Sequence, residues 1–216
     1  MIVPFEGWVY RELPRVAPVV DALSAEELAT LRQDPWQAIH VALPENPNEV
    51  SHRWEGWKEA HVVRREPLPT LYAYSQTFYR YGSHQAFQRV GVVGLLPVEA
   101  ELLPHEKTLP ERVEGIKAIL RKVPLQSTPV HVLAEGGWVE VLPLLQMYLR
   151  CPLFSVGAKD GVMHRWSPIH HREHQIQLQA KLRGRMLIAD GHHRWQAVRE
   201  EGLRFLLVYL TPMRDE

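Results

Sequence analysis

Leu187-Ile-Ala-Asp-Gly-His-His-Arg194 holds the residues with the clearest chemical meaning. An apolar strand ends, an acid and a glycine follow, and two histidines and an arginine open a helix. Gly191 lets backbone N–H groups turn toward a ligand. A helix N-terminus adds the positive end of its dipole and donors that have no partner inside the helix. Arg194 offers a planar fork that matches phosphate. Gly191, His192, His193 and Arg194 therefore make an anion cradle, most naturally for a nucleotide or a phosphorylated substrate. Asp190 is out of place in a pure anion cradle. It fits if it binds Mg²⁺ or takes a proton. The same residues also describe an ordinary strand–turn–helix, with Asp190 as the cap and the histidines in solvent.

Two further groups could carry chemistry. Glu106 lies in Pro104-His105-Glu106, just ahead of Thr108-Leu-Pro-Glu111. That second run reads as a capping box with proline in the first helical turn. A carboxylate before a helix can accept a proton, or can simply cap or salt-bridge. Lys107 and Thr108 stand where they can reach phosphate or solvent. His164, His170, His171 and His174 form the second group. Two histidines four apart share one helix face, a spacing that can bind zinc. No glutamate follows the first, and no cysteine is near, so the cluster reads as a solvated helix start.

The elements that must position these groups can be read from the pattern. Prolines at 4, 14 and 18 predict an extended or looped opening. Ser24-Ala-Glu-Glu27 predicts a capped helix, Ala38–Leu43 a strand, and Val50–Val62 a helix with Val50, Trp54, Trp57 and His61 on one face. Trp54 and Trp57 read as core or as a seam between lobes. Leu71–Tyr81 and Gln85–Val93 predict a hairpin. A helix follows Thr108, then a strand over Thr128–Leu133. Trp138–Arg150 predicts a helix, with Pro143 near its start. Lys159-Asp160-Gly161 predicts a turn between strands at Phe154–Val156 and Val162–Trp166. His171–Leu182 is helical, Arg185–Ala189 a short buried strand, Trp195–Glu201 helix, Gly202 its cap, and Phe205–Leu210 the last strand.

Composition bounds the function. The 216 residues can bury a sizeable core in one large domain or two small ones. Lys and Arg total 25, Asp and Glu total 25, so the formal charge is zero. That removes the electrostatic footprint of a nucleic-acid binder. A single cysteine, Cys151, excludes an internal disulfide framework and a multi-cysteine zinc site, and fits a reduced, cytoplasmic setting. No apolar run is long enough for a membrane helix, and the N-terminus lacks the features of a signal peptide. Twelve histidines make a histidine-based site worth seeking.

Asp190-Gly-His-His-Arg194, followed by Trp195 and Ala197, resembles the signature of the ParB/sulfiredoxin-like superfamily. More narrowly, the chain resembles domain-of-unknown-function family 1015, related to the ADP-dependent free-serine kinases. Leu103-Pro-His-Glu-Lys-Thr108 is similar to that family's Leu-Pro-His-Glu-x-Thr motif. Pro35–His40, Trp57 with Pro69–Tyr74 and Gln76, and Asp160-Gly161 with His164 to Trp166 resemble other family segments. The likeness covers about residues 16 to 213, and most members are longer, so it implies a shortened member.

The resemblance implies a mixed α/β fold. Residues 98–216 would be a ParB/sulfiredoxin-like domain, and residues 1–97 a smaller N-terminal α+β lobe. It implies phosphoryl transfer from ADP or ATP with Mg²⁺ to a small molecule, free serine being the family's acceptor. Glu106 would be the catalytic base and Asp190 would bind the metal or activate the hydroxyl. Gly191, His192, His193 and Arg194 would hold the phosphates, and His105 and Thr108 would lie on the substrate side. Three rivals stand beside it: a nucleotide-binding switch or hydrolase, a phosphatase using His192 or His193, and a non-catalytic binder. DNA binding is disfavoured, because no basic helix-turn-helix follows the motif. Sulfiredoxin chemistry is disfavoured, because His192 stands where that family has its cysteine. Neither nucleic acid nor membrane is an expected partner, and the oligomeric state stays open.

Overall fold

A computed structural model describes residues 1–12, 14–15, 23–158 and 161–213. A two-stranded antiparallel ribbon joins β1 (Trp8–Tyr10) to β2 (Val63–Arg65). Between them lie α1 (Ala25–Arg32), α2 (Ile39–Ala42) and α3 (Val50–Glu59). Ser24 and Glu27 form the expected reciprocal capping box on α1. Ala38–Leu43 is not a strand. Its residues form the short helix α2, whose Ile39, His40 and Val41 are all buried. A run of apolar residues this short has no period of its own, and the surrounding helices decide its state. Trp54, Trp57, Val50 and Val41 build a small core, with Trp36 packed against it. Trp8 meets Trp54 edge-on at 5.6 Å. His61 lies outside that face, at φ 55° in the left-handed turn after α3.

The rest of the chain makes one seven-stranded sheet. Its strands are β3 (Leu71–Tyr79), β4 (Ala86–Pro97), β5 (Val130–Ala134), β6 (Phe154–Gly157), β7 (Met163–Ile169), β8 (Met186–Asp190) and β9 (Phe205–Pro212). Their order is β6-β7-β3-β4-β9-β5-β8. All neighbours are antiparallel except β5 and β9. The sheet thus takes β3 and β4 from one side of residue 97 and β5 to β9 from the other. The β3–β4 hairpin is as expected. The β6–β7 pair forms too, while Lys159 and Asp160 of its turn lie outside the described residues. Arg185–Ala189 was expected as a buried strand, but β8 is an edge strand, and only its alternate residues Met186 and Ile188 are buried.

Four helices cover this sheet: α4 (Pro110–Lys122), α5 (Trp138–Arg150), α6 (Arg172–Lys181) and α7 (His192–Glu200). Pro143 lies inside α5 rather than at its start. The carbonyl it leaves unpaired belongs to Val139, which is 80 % exposed and open to water. The sheet's core residues alternate: Val130, Val132 and Ala134 on β5, Leu206, Val208 and Leu210 on β9, Leu71 and Ala73 on β3. They therefore lie on one face, with Val113, Leu145, Leu178 and Ala197 of the four helices. The other face carries Tyr74, Gln76, Arg89, Gly91, Tyr209 and His131. No helix of the described residues is long and apolar enough to cross a membrane.

Gly91 marks where strands crowd. A Cβ there would lie 2.0 Å from the Leu210 carbonyl oxygen and 2.7 Å from the Tyr209 ring. The backbone oxygen cannot step aside. Gly91→Ala should lower stability by roughly 3 kcal/mol, the upper end for an overpacked site, read as the midpoint shift in urea.

Candidate functional site

The sheet edge brings the segment that bears Glu106 to the start of α7. Leu103 forms a parallel bridge with Leu187 on β8. Its N–H donates to the Met186 carbonyl, and the Ile188 N–H donates back to the Leu103 carbonyl. The chain therefore leaves this bridge at the C-terminal end of β8, and Pro104 to Leu109 runs past the start of α7.

Two histidines then fix that segment. The His105 N–H donates to His192 Nε2 at a long 3.4 Å, and the Leu109 N–H donates to His193 Nε2 at 2.9 Å. An imidazole that accepts at Nε2 carries its proton at Nδ1 when neutral. His192 Nδ1 lies 3.6 Å from Glu106 Oε2, and the His105 and His192 rings meet edge-on at 4.5 Å. His192 is 2 % exposed. Burial, then the neighbouring His105, push its imidazole below the ordinary value, while Glu106 and Asp190 act in the opposite direction. Both carboxylates thus act electrostatically on one buried ring.

Thr108 does not cap α4. Leu109 occupies the N-cap position with no side-chain cap, and Pro110 opens the helix. The His193 ring takes the N-cap's N–H instead, from 84 positions away. Further along, Lys117 pairs with Glu200 at 2.9 Å and Arg121 with Glu201 at 2.7 Å. α4 and α7 therefore run side by side in the same sense, and both helix N-termini meet at this place. The first helical bond of α7 runs from the Trp195 N–H to the Gly191 carbonyl. The N–H groups of His192, His193 and Arg194 remain outside the helix's own bonding, and no side chain caps them. Two positive dipole ends and these donors make a place for an anion.

Arg194 does not point away from the turn. Its Nη2 donates to Asp190 Oδ2 at 2.7 Å, one helical turn away. The guanidinium folds over Gly191, where a Cβ would lie 2.7 Å from Nη2. Gly191 at φ 94° is therefore needed for the left-handed turn and for the arginine above it. Asp190 itself is 75 % exposed, so it keeps an oxygen for a cation. Mg²⁺ is commonly held by one or two carboxylates with waters and substrate phosphates. The exposed Asp190 suits that sparse mode. Among the described residues no group of three or more His, Cys, Asp or Glu could hold a metal alone.

The other histidine cluster forms no metal-binding group among the described residues. His164 Nδ1 meets the Tyr74 hydroxyl at 2.6 Å, His170 Nδ1 the Thr70 hydroxyl at 3.2 Å, and His174 Nδ1 the Tyr148 hydroxyl at 2.8 Å. The His171 and His174 rings meet at 5.4 Å.

His131 was missed by sequence reasoning, although it belongs here. The β5–β8 register pairs His131 with Asp190 and Val132 with Ile188, so β8 carries an extra residue, Ala189. This bulge moves Asp190 off the core face and opposite His131. The signal was present: one histidine alternating with Val130 and Val132. His131 Nε2 meets Thr211 Oγ1 at 2.8 Å, and its ring stacks on Tyr209 at 5.3 Å.

The sequence matches, over residues 2–215, the family described as "Protein of unknown function (DUF1015)". The chain belongs to that family. No curated protein and no solved structure matches this DUF1015 chain.

The surroundings of His131 give it a pH dependence. Burial pushes its imidazole down to about 4, with Arg89 adding and Asp190 opposing. The folded DUF1015 chain therefore holds this ring neutral, whereas the unfolded chain protonates it below about 6.5. The stabilisation is complete above that pH and is lost as pH falls toward about 4. It amounts to about 3 kcal/mol at most. Urea midpoints measured from pH 7 to pH 4 should fall for the parent, and should fall less for His131→Asn.

Proposed function

We propose that this DUF1015 chain transfers a phosphoryl group from a nucleotide to the hydroxyl of a small molecule. We further propose that its sheet and helices are of the ParB/sulfiredoxin-like kind. One observation carries the reading: His192 and His193 each accept a main-chain N–H from the segment that bears Glu106. A carboxylate is thereby fixed beside two helix N-termini. Phosphoryl transfer asks mainly for such positioning and charge neutralisation.

In this reading the phosphates lie against the N–H groups that open α7, and Arg194 turns from Asp190 to them. A bidentate contact to phosphate replaces the bond to Asp190 Oδ2. The acceptor hydroxyl sits beside Glu106. Its oxygen bonds to phosphorus, the bond to the leaving phosphate breaks, and Glu106 takes the hydroxyl proton. Mg²⁺ held by Asp190 would neutralise phosphate charge. ADP or ATP fits as donor, and free serine is the acceptor that the resemblance favours.

The Asp190–Arg194 pair favours a second reading, a nucleotide-binding regulator in which exchange of that pair for phosphate is the signal. A phosphatase would need an imidazole nitrogen with a free lone pair. Nε2 of both rings accepts a main-chain N–H, which gives the kinase-like reading precedence.

Arg194→Ala should weaken ADP or ATP binding, measured by calorimetry with Mg²⁺. Glu106→Gln should leave that binding within about twofold. It should slow turnover of nucleotide plus free serine by roughly 10²–10⁴-fold, the usual contribution of a general base. A parent that binds nucleotide but turns nothing over supports the regulator instead. Unchanged turnover in Glu106→Gln removes the base role from Glu106.

A further inference from the structure

The sheet face away from the four core helices continues the site, with His131 and Tyr74 partly exposed and Tyr209 buried between them. We propose that it is the nucleoside-binding wall, with His131 next to the phosphates and the Gln76–Arg89 pair at the far end. This inference rests on the reading that phosphates bind at the start of α7.

The β8 bulge sets the direction. It places Asp190 opposite His131, on the face away from the core helices. A nucleotide with its phosphates at Gly191 to Arg194 therefore continues over that face, because the other face is packed.

That face is built as a row of rings. His131 stacks on Tyr209 with 25° between planes. Tyr209 meets Tyr74 edge-on at 4.8 Å. Gly91 lies between them on β4, so no side chain rises there and the Tyr209 ring lies over it. His131 and Tyr74 are both half-buried and keep part of each ring open to solvent. Arg89 Nη1 donates to Gln76 Oε1 at 3.1 Å and lies over the Phe78 ring at 5.3 Å. Bonded this way, Gln76 keeps its amide N–H groups for a base edge. Strands β5 and β9 separate Asp190 on β8 from Arg89 on β4. Three strand spacings make about 14 Å, a span that a ribose and base cover. His131 on β5 lies between those two ends in the strand order.

Chemistry selects the occupant. The middle of the row is uncharged and aromatic, which suits a base and sugar and not more phosphate. Aromatic faces hold bases by stacking, with little preference among them. Hydrogen bonds from the Gln76–Arg89 pair then choose.

The test compares ADP with pyrophosphate on the full chain, by calorimetry with Mg²⁺. Pyrophosphate keeps the phosphate contacts and lacks the nucleoside. His131→Ala and Gln76→Ala should each weaken ADP binding about tenfold. Both should leave pyrophosphate within about twofold, whereas Arg194→Ala should weaken both ligands. Gln76 lies on the surface, so its variant keeps the test open if His131→Ala folds poorly. ADP binding unchanged in both variants overturns the nucleoside wall and leaves the phosphate site standing. A parent that binds neither ligand overturns the phosphate site and this inference together.

Discussion

Two imidazole nitrogens hold the site together. His192 and His193 leave the same helical turn and accept N–H groups from residues 105 and 109. The Leu109 N–H opens a helix and has no acceptor within it, and a turn that leads into a helix offers few others. By filling that need, the two rings join segments more than eighty positions apart. They also decide which tautomer each ring adopts. The histidines that read as phosphate ligands are therefore also structural struts. Only Nδ1 of each remains to face something else, and for His192 that is Glu106.

The strut works because the helices beneath it run in the same sense. α4 and α7 are clasped by Lys117 with Glu200 and by Arg121 with Glu201. These are surface ion pairs, each worth little in stability. Their significance is register, since they keep the two N-termini level. The apolar contact of Val113 and Leu120 with the main core supplies the energy. Charge neutralisation at the site thus comes from backbone as much as from side chains. Arg194 is held by Asp190 until an anion competes for it.

Much of this was legible in the chain. The α5 limits, the β3–β4 hairpin and the helix after Asp190-Gly191 follow from period, caps and turn residues. Asp190 to Arg194 stands out as a strand end, turn and helix start, whereas Pro104-His105-Glu106 drew its role from the family resemblance. What stayed hidden depends on distant partners. Thr108 looks like a helix cap, but the acceptor comes from His193, and no local pattern can report that. Ala38–Leu43 has strand-forming residues, yet packing against α3 makes it helical. Arg185–Ala189 reads as a short buried strand with Asp190 after it, and only the pairing partner exposes the bulge at Ala189.

That bulge also sets which face of the sheet Asp190 joins. Strict alternation from Met186 and Ile188 would point Asp190 into the core, where a carboxylate without a partner is costly. One extra residue turns it outward and sets it against His131. A half-buried histidine on an otherwise apolar strand costs stability at acid pH, since its ring must stay neutral. Leucine or phenylalanine would pack on Tyr209 without that cost. This ring already bonds the Thr211 hydroxyl, and in the proposed reading it also meets a ligand beside an exposed acid and a helix N-terminus. Stability and ligand contact then draw on one side chain, so substitutions at His131 must be judged on binding and folding together.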